Sequence, residues 1–283
     1  MNNIIIELED YAIRRVTTMD ESIKISYLMI DIWEMSELEA VPTFEVKAVS
    51  DFGTVLMAYT YDKPEEPIGY IYAYPNFDEV HYKHYSHMMG IRKDWQSKSV
   101  GFNLKLAHRK LALNSSPRIY SIQWTVDPLL PNNASLNFGK LGCVCSTYKV
   151  NYYGMPRDIG IYMGVPTDRF LVEWILESMD VQKKLEGGDK VDIGVLDSIP
   201  QLNTIEDFTF IPSKIDVEDQ FLVEVPSDFQ RIRETSVELA IDWRMQFRAI
   251  CLKYFKEGWE VCDYFSFQTE IGRRNFYKFR KKY

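Results

Sequence analysis

HYSHMMGIRKDWQSKSVGFNLKLAHRKLAL, residues 84–113, reads as a strand, a short loop and a helix in immediate succession. The strand is the aromatic and apolar run that ends near Ile91, and the loop is Arg92 to Ser99. Beyond it Val100, Leu104, Ala107 and Leu111 recur at the spacing of one apolar helix face. Small residues crowd the junction: Ser97, Ser99 and Gly101. A strand that feeds such a loop into a helix aims several backbone N–H groups at one spot, with the positive end of the helix dipole behind them. That is a ready anion site, and phosphate is its commonest tenant.

The totals narrow the field. At 283 residues the chain is long enough for one large domain or two modest ones, and 46% apolar with 26% charged residues is the composition of a globular protein. A formal net charge of −8 argues against nucleic acid as the main partner, because phosphate backbones are bound by basic surfaces. There is no charge-free apolar run of about 18 residues, so no membrane span is expected. MNNIIIELEDY has no basic leader region and carries Glu7, Glu9 and Asp10, which is unlike a signal peptide. Cys143, Cys145, Cys251 and Cys262 fit neither a zinc spacing nor a disulfide frame, and are expected to be reduced packing residues of a cytoplasmic protein.

Around the central stretch, strand and helix patterns alternate. Tyr11–Thr17 reads as a strand, and Thr18 can cap a helix carrying Ile23, Tyr27, Ile30 and Trp33. Residues 35–50 are irregular, a short second helix or a flap. Strands are expected at 54–61, 68–74 and 80–91, then the central loop and helix, then a strand over 118–126. A short helix over 133–141 with Gly142 at its end precedes an expected hairpin, 143–153 with 159–165. Thr167–Trp174 reads as a strand or a connector, and residues 185–216 are polar and weakly periodic. A strand over 220–225 leads to one long helix, opened by a Ser227/Gln230 capping box and closed at Gly258, and two final strands follow. The expected class is α/β: a mixed central sheet flanked by helices, then a smaller strand–helix–strand–strand unit. The expected domains are 1–180, a linker over 181–219, and 220–283.

The central loop resembles the motif of the GNAT superfamily of acyl-CoA N-acyltransferases, whose core is Arg/Gln-x-x-Gly-x-Gly/Ala. Here Ile91 ends the strand, Trp95 is the aromatic before the motif, and Gln96-Ser97-Lys98-Ser99-Val100-Gly101 follows. Gly101 matches, Ser99 stands where the first glycine is expected, and Leu104 matches the first apolar helix position. A second family motif, Asn-x-x-Ala-x-x-x-Tyr-x-Lys-x-Gly-Phe, is met by Ala134, Lys140 and Gly142, with Phe138 in place of its tyrosine, Pro131 at its asparagine and Cys143 at its last phenylalanine. The order of elements over residues 11–165 also follows the family. YSHMMGI, WTVDPL, NYYG and PTDRF look like a little-characterised branch of predicted GNAT proteins of similar length.

The resemblance implies a GNAT-like fold with acyl-CoA lying between the strand that ends at Ile91 and its neighbour over 124–127. It implies that backbone groups of Met89 and Ile91 hold the pantetheine arm, with the Met89 N–H polarising the thioester carbonyl. Backbone N–H groups of Gln96, Ser97, Lys98, Ser99, Val100 and Gly101 would hold the pyrophosphate. Asn133 and Asn137 are candidate cofactor contacts; as ordinary helix-end residues they would need no ligand. Relatives place the base on the strand before the loop, at positions that fall here on His87 and Tyr85; histidine's ordinary pKa of about 6.5 suits that task. Asp127 is the candidate to orient the imidazole or bind the amine. With Phe138 at the usual acid's place, Tyr148, Tyr152, Tyr153 or solvent would have to protonate the leaving thiolate.

The expected co-substrate is acetyl-CoA, without a metal, and the expected acceptor a small-molecule amine, with no nucleic acid and no membrane involved. His81, His84 and His87 have a metal-like spacing only on a helix; on a strand His84 faces away from the other two. Two rival readings remain: a longer acyl-CoA or carrier-bound donor, and a non-catalytic CoA- or metabolite-binding protein on a degenerate fold. The terminal unit is open as a partial second lobe, a lid or a homodimer surface.

Overall fold

The structure is a computed structural model and describes residues 3–154, 164–188, 191–213, 215–270 and 272–282. The chain divides into two compact units, Met1–Trp124 and Thr125–Tyr283.

The first unit is built on a sheet whose strands lie in chain order: β1 (Ile4–Glu7), β2 (Tyr11–Arg15), β3 (Thr54–Thr60), β4 (Pro67–Phe77), β5 (Tyr82–Ile91) and β6 (Ser121–Val126), which runs on into the second unit. Pairing is antiparallel from β1 to β5 and parallel between β5 and β6. Three helices cover it: α1 (Met19–Trp33), α2 (Thr43–Phe52) and α3 (Val100–Leu113). Thr18 and Glu21 close a complete capping box at the start of α1. Residues 35–50, left open by the sequence, contain α2, entered directly after Pro42. Ile25, Leu28 and Met29 of α1 and Val46 and Val49 of α2 pack on Met57, Tyr70 and Tyr72, forming one core layer. Val100, Leu104 and Ala107 of α3 pack on Leu56 and Ile71, forming the other. Strands buried on both faces read as near-continuous apolar runs, which is why β3 and β4 were visible in the sequence.

The second unit opens with α4 (Pro131–Ala134), which passes at once into a π-turn over Ser135–Lys140, so the helix expected over 133–141 begins earlier and is wound unevenly. The expected 143–153 strand is broken: Val144 and Cys145 make isolated bridges to Glu173 and Val261, and β7 is only Tyr148–Lys149. The chain turns at Asn151, whose φ is +47° and whose N–H is taken by the Asp168 carboxylate. Most of the expected second arm, 159–165, lies outside the described residues. Thr167–Trp174 yields β8 (Arg169–Ile175), antiparallel to β7. Residues 181–219 carry the end of α5 (Met179–Leu185), α6 (Val195–Ser198) and a small hairpin of β9 (Asn203–Glu206) with β10 (Thr209–Pro212).

The long helix expected near the C-terminus is two: α7 (Phe229–Thr235) and α8 (Val237–Lys256). Asp228, rather than Ser227, caps the first; Ser236 is extended and its hydroxyl accepts the Leu239 N–H to start the second. Then β12 (Trp259–Thr269) and β13 (Gly272–Lys281) complete a three-stranded sheet with β11 (Gln220–Val225), in the order β11-β13-β12. Phe138, Phe170, Phe247 and Tyr277 form an aromatic core, with ring centroids 5.5–6.1 Å apart. All four cysteines are free and buried. Among the described residues no helix is long and apolar enough to cross a membrane, and no group of three or more metal-ligating side chains occurs.

Candidate functional site

The site of the first unit is set by an irregularity in β5. The register with β4 runs Ile71↔Met89 and Tyr72↔Met88, then steps to Ala73↔Ser86, leaving His87 as the extra residue of a bulge. The bulge changes which face the strand presents. His84 and Ser86 are buried towards α3, and beyond the step Met89 and Ile91, partly buried, pack on the same layer. Met88 packs instead in the core layer under α1 and α2. His87 stands on that same side, exposed, with the rings of Tyr72, Tyr74 and Tyr85 at 6.1, 5.9 and 6.2 Å. Tyr85 and His87, two residues apart on the strand, are neighbours there. Partial desolvation among these rings pulls the His87 pKa below its ordinary value, opposed by the charge of Glu45.

The register also decides where the β5 backbone points. The Arg92 N–H donates to the Ile68 carbonyl, which makes Ile68/Arg92 a hydrogen-bonded antiparallel pair. The pairs alternate, so the N–H and C=O groups of Met89 and Ile91 are directed away from β4. On that other edge, β6 pairs with β5 only over Lys83–Tyr85. Beyond Tyr85 the strand therefore presents outward-facing backbone groups without a β6 ladder. The Gln96 amide already donates to the Ile91 carbonyl, at 3.3 Å. Gly90 lies in the same run because a Cβ there would stand 2.6 Å from the Tyr70 ring.

The loop that follows is a single 3-10 turn, Lys93–Trp95, and then an exposed stretch, Gln96–Ser99. Ser97 and Ser99 are both left-handed, with φ of +62° and +61°. Ser99, at the position where the motif expects glycine, thus adopts the glycine-like conformation itself. The first bond of α3 is Asn103 N–H to Ser99 C=O, so the N–H groups of Val100, Gly101 and Phe102 lack intrahelical acceptors. No acidic side chain lies in the first turn, and the Lys98 ammonium sits 4.5 Å from the centre of the Trp95 ring. Alternating left-handed residues at a helix N-terminus form a concave donor surface suited to phosphate.

The remaining predicted residues belong to the second unit. The Asp127 carboxylate accepts two bonds from Arg244, at 2.8 and 2.7 Å, and one from the Leu129 N–H at 2.9 Å. Burial pushes its carboxyl up, but Arg244 and Arg169 outweigh that and hold it below the usual range. Asn133 is half-buried and Asn137 buried. Phe138 is fully buried in the aromatic core. Tyr148 donates to Asp168 at 2.8 Å, and Arg248 grips the same carboxylate through two bonds. Tyr153 is 3.3 Å from the Thr125 hydroxyl, and Tyr152 is exposed.

Two features escaped sequence reading. Glu45, in the first turn of α2, accepts a bond from the Tyr72 hydroxyl at 2.9 Å, and its charge acts on His87. Its segment was irregular in sequence, and nothing there marks this acid among its neighbours. The second is a buried pair, His84 Nδ1 to His108 Nε2 at 2.9 Å, beside Lys105, which bonds to the Ser86 hydroxyl and lies 3.4 Å from the Trp124 ring centre. A His and a Lys three residues apart on an apolar helix face were the available signal.

No family model matches the chain, and no curated protein matches it. Solved structures do. Arabidopsis thaliana Naa50 in complex with a bisubstrate analogue is 15% identical over 58% of this chain and 98% of that one, with a TM-score of 0.45. Ribosomal-protein-S5-alanine acetyltransferase from Vibrio fischeri is 11% identical over 61% and 97%, with a TM-score of 0.47. An acetyltransferase of the GNAT family from Streptococcus pneumoniae is 14% identical over 58% and 98%, with a TM-score of 0.44. Identities this low transfer no residue's role.

Proposed function

We propose that the chain is a cytoplasmic acyl-CoA N-acyltransferase that moves an acetyl group to the amine of a small molecule. The observation that carries this reading is one continuous run: the outward-facing backbone of Met89 and Ile91, then the left-handed loop and bare N-terminus of α3. The first suits an extended amide-bearing arm, added as a strand; the second suits the pyrophosphate at its far end. His87 stands on the bulge between these features and the aromatic face.

The reaction balances with this chain's residues. The bound ammonium gives a proton to the His87 ring, directly or through one water. The freed nitrogen lone pair attacks the thioester carbonyl carbon, whose oxygen develops charge towards the Met89 N–H. The C–N bond forms, the nitrogen gives its second proton to solvent as the C–S bond breaks, the thiolate takes a proton from solvent, and His87 releases its own to solvent. CoA thiolate is a good enough leaving group for that, and Phe138 supplies no acid. Asp127 could take part only by giving up bonds to Arg244, so His87 and Tyr85 are the residues on which this reading rests.

Titration with acetyl-CoA tests the donor: at a hundred times the dissociation constant a specific ligand adds about 2.7 kcal/mol of stability, read as a rise in Tm. No rise and no heat of binding would sink the assignment. A second reading, a CoA-binding protein without turnover, is favoured by the burial of Phe138 at the usual acid position. A His87→Ala variant that binds acetyl-CoA normally but loses 10²–10⁴-fold in kcat, as loss of a general base entails, argues against that alternative.

A further inference from the structure

The acceptor side of His87 carries its own chemistry. The Tyr72, Tyr74 and Tyr85 rings surround the imidazole, with Tyr74 and Tyr85 at 5.6 Å and Tyr72 and Tyr74 at 6.3 Å between centroids. Glu45 closes the group: its carboxylate is exposed, it accepts the Tyr72 hydroxyl, and among the described residues no cation is paired with it. The α1–α2 segment that delivers it is strongly acidic. Between residues 31 and 52 stand Asp31, Glu34, Glu37, Glu39, Glu45 and Asp51, against Lys47 as the only base. Lys47 is occupied by Asp51. Glu39 accepts the Ser36 N–H and hydroxyl at the surface.

From this juxtaposition we infer that Glu45, held by the buried Tyr72, and the half-buried Tyr74 and Tyr85 rings beside His87 form a recognition site for an aliphatic ammonium, so that the acceptor binds as a cation. Ring faces attract cations, and a carboxylate supplies the opposite charge. This rests on the acyltransferase reading for its purpose but not for its geometry. It also separates binding from chemistry. Before proton transfer the positive charge is on the ammonium, and afterwards it is on the His87 ring beside it. Glu45 sees one positive charge in both states, so it contributes to ground and transition states alike. It is a specificity residue: its loss should raise KM and leave kcat nearly unchanged.

The test uses n-butylamine as the cationic probe and 1-butanol as its uncharged isostere, titrated into the full chain and followed by NMR or calorimetry at pH 7. The wild type should bind the amine and not the alcohol. Glu45→Gln should weaken the amine about tenfold, and Glu39→Gln, which changes net charge equally, by less than twofold. With n-butylamine as acceptor, any turnover should show the same factor in KM. The proposal is overturned if amine and alcohol bind alike, if neither binds, or if the two variants weaken binding equally. Acetyl-CoA is titrated in parallel. Normal acetyl-CoA binding without amine selectivity sinks this inference alone; amine selectivity without acetyl-CoA binding sinks the acyltransferase reading and keeps the cation site.

Discussion

At the scale of single residues, His87 and Ser99 matter most. The His87 pKa lies below its ordinary value, so its base form persists into mildly acidic solution. The acid limb of kcat/KM should therefore have its midpoint below about 6.5, and the limb should vanish in His87→Ala. A midpoint well above 7 would remove His87 as the base. Ser99 holds a left-handed φ that costs a residue with a Cβ roughly 1–2 kcal/mol, while glycine brings back roughly 0.5–1 kcal/mol of chain entropy. Ser99→Gly is expected to stabilise the fold by up to about 1 kcal/mol, read from the urea midpoint, with the donor loop intact. A loss of stability would mean that the hydroxyl does more than its missing cap bond suggests. His87 was legible as a candidate base, since a histidine on the strand before a small-residue loop is visible in sequence. Glu45 was not, because only the packing of α2 brings it beside Tyr72.

At the scale of elements, β5 and α3 share a buried histidine pair. Burial pulls the His84 pKa down to about 4 and that of His108 well below its ordinary value. Both are thus easier to protonate in the unfolded chain, whose histidines titrate near 6.5. Their contribution is intact above that pH and is lost as pH falls towards 4, a loss of about 3 kcal/mol for His84 alone. Urea unfolding of the wild type at pH 7 and pH 4.5 should show that fall. Replacing both with leucine should flatten this part of the pH dependence at little cost at pH 7, because both partners leave together. If the double variant keeps the full slope, the pair is not its source. The bulge in β5 belongs to this scale as well. Strand alternation puts Tyr85 and His87 on one side, but it cannot show that the strand changes face between Ser86 and Met89, because a bulge depends on the partner strand.

At the scale of the molecule, the second unit is tied by charges distant in sequence: Asp127 at the end of β6 to Arg244 on α8, and Asp168 to Arg248 one turn later. Arg244 is only 2% exposed, so Asp127→Asn would leave a buried guanidinium unpaired and should cost 3–5 kcal/mol in chemical denaturation. A variant as stable as the wild type would free Asp127 for the catalytic part first considered. The sequence by itself determined the alternation of strands and helices, the helix-opening loop and the histidine before it. Those depend on local period, capping and small residues, all written along the chain. Tertiary structure alone decided where the chain parts into compact units, that Asp127 meets Arg244, and that Glu45 meets Tyr72. Each of these is a contact between segments far apart in sequence, and such contacts are fixed by packing rather than by any local pattern.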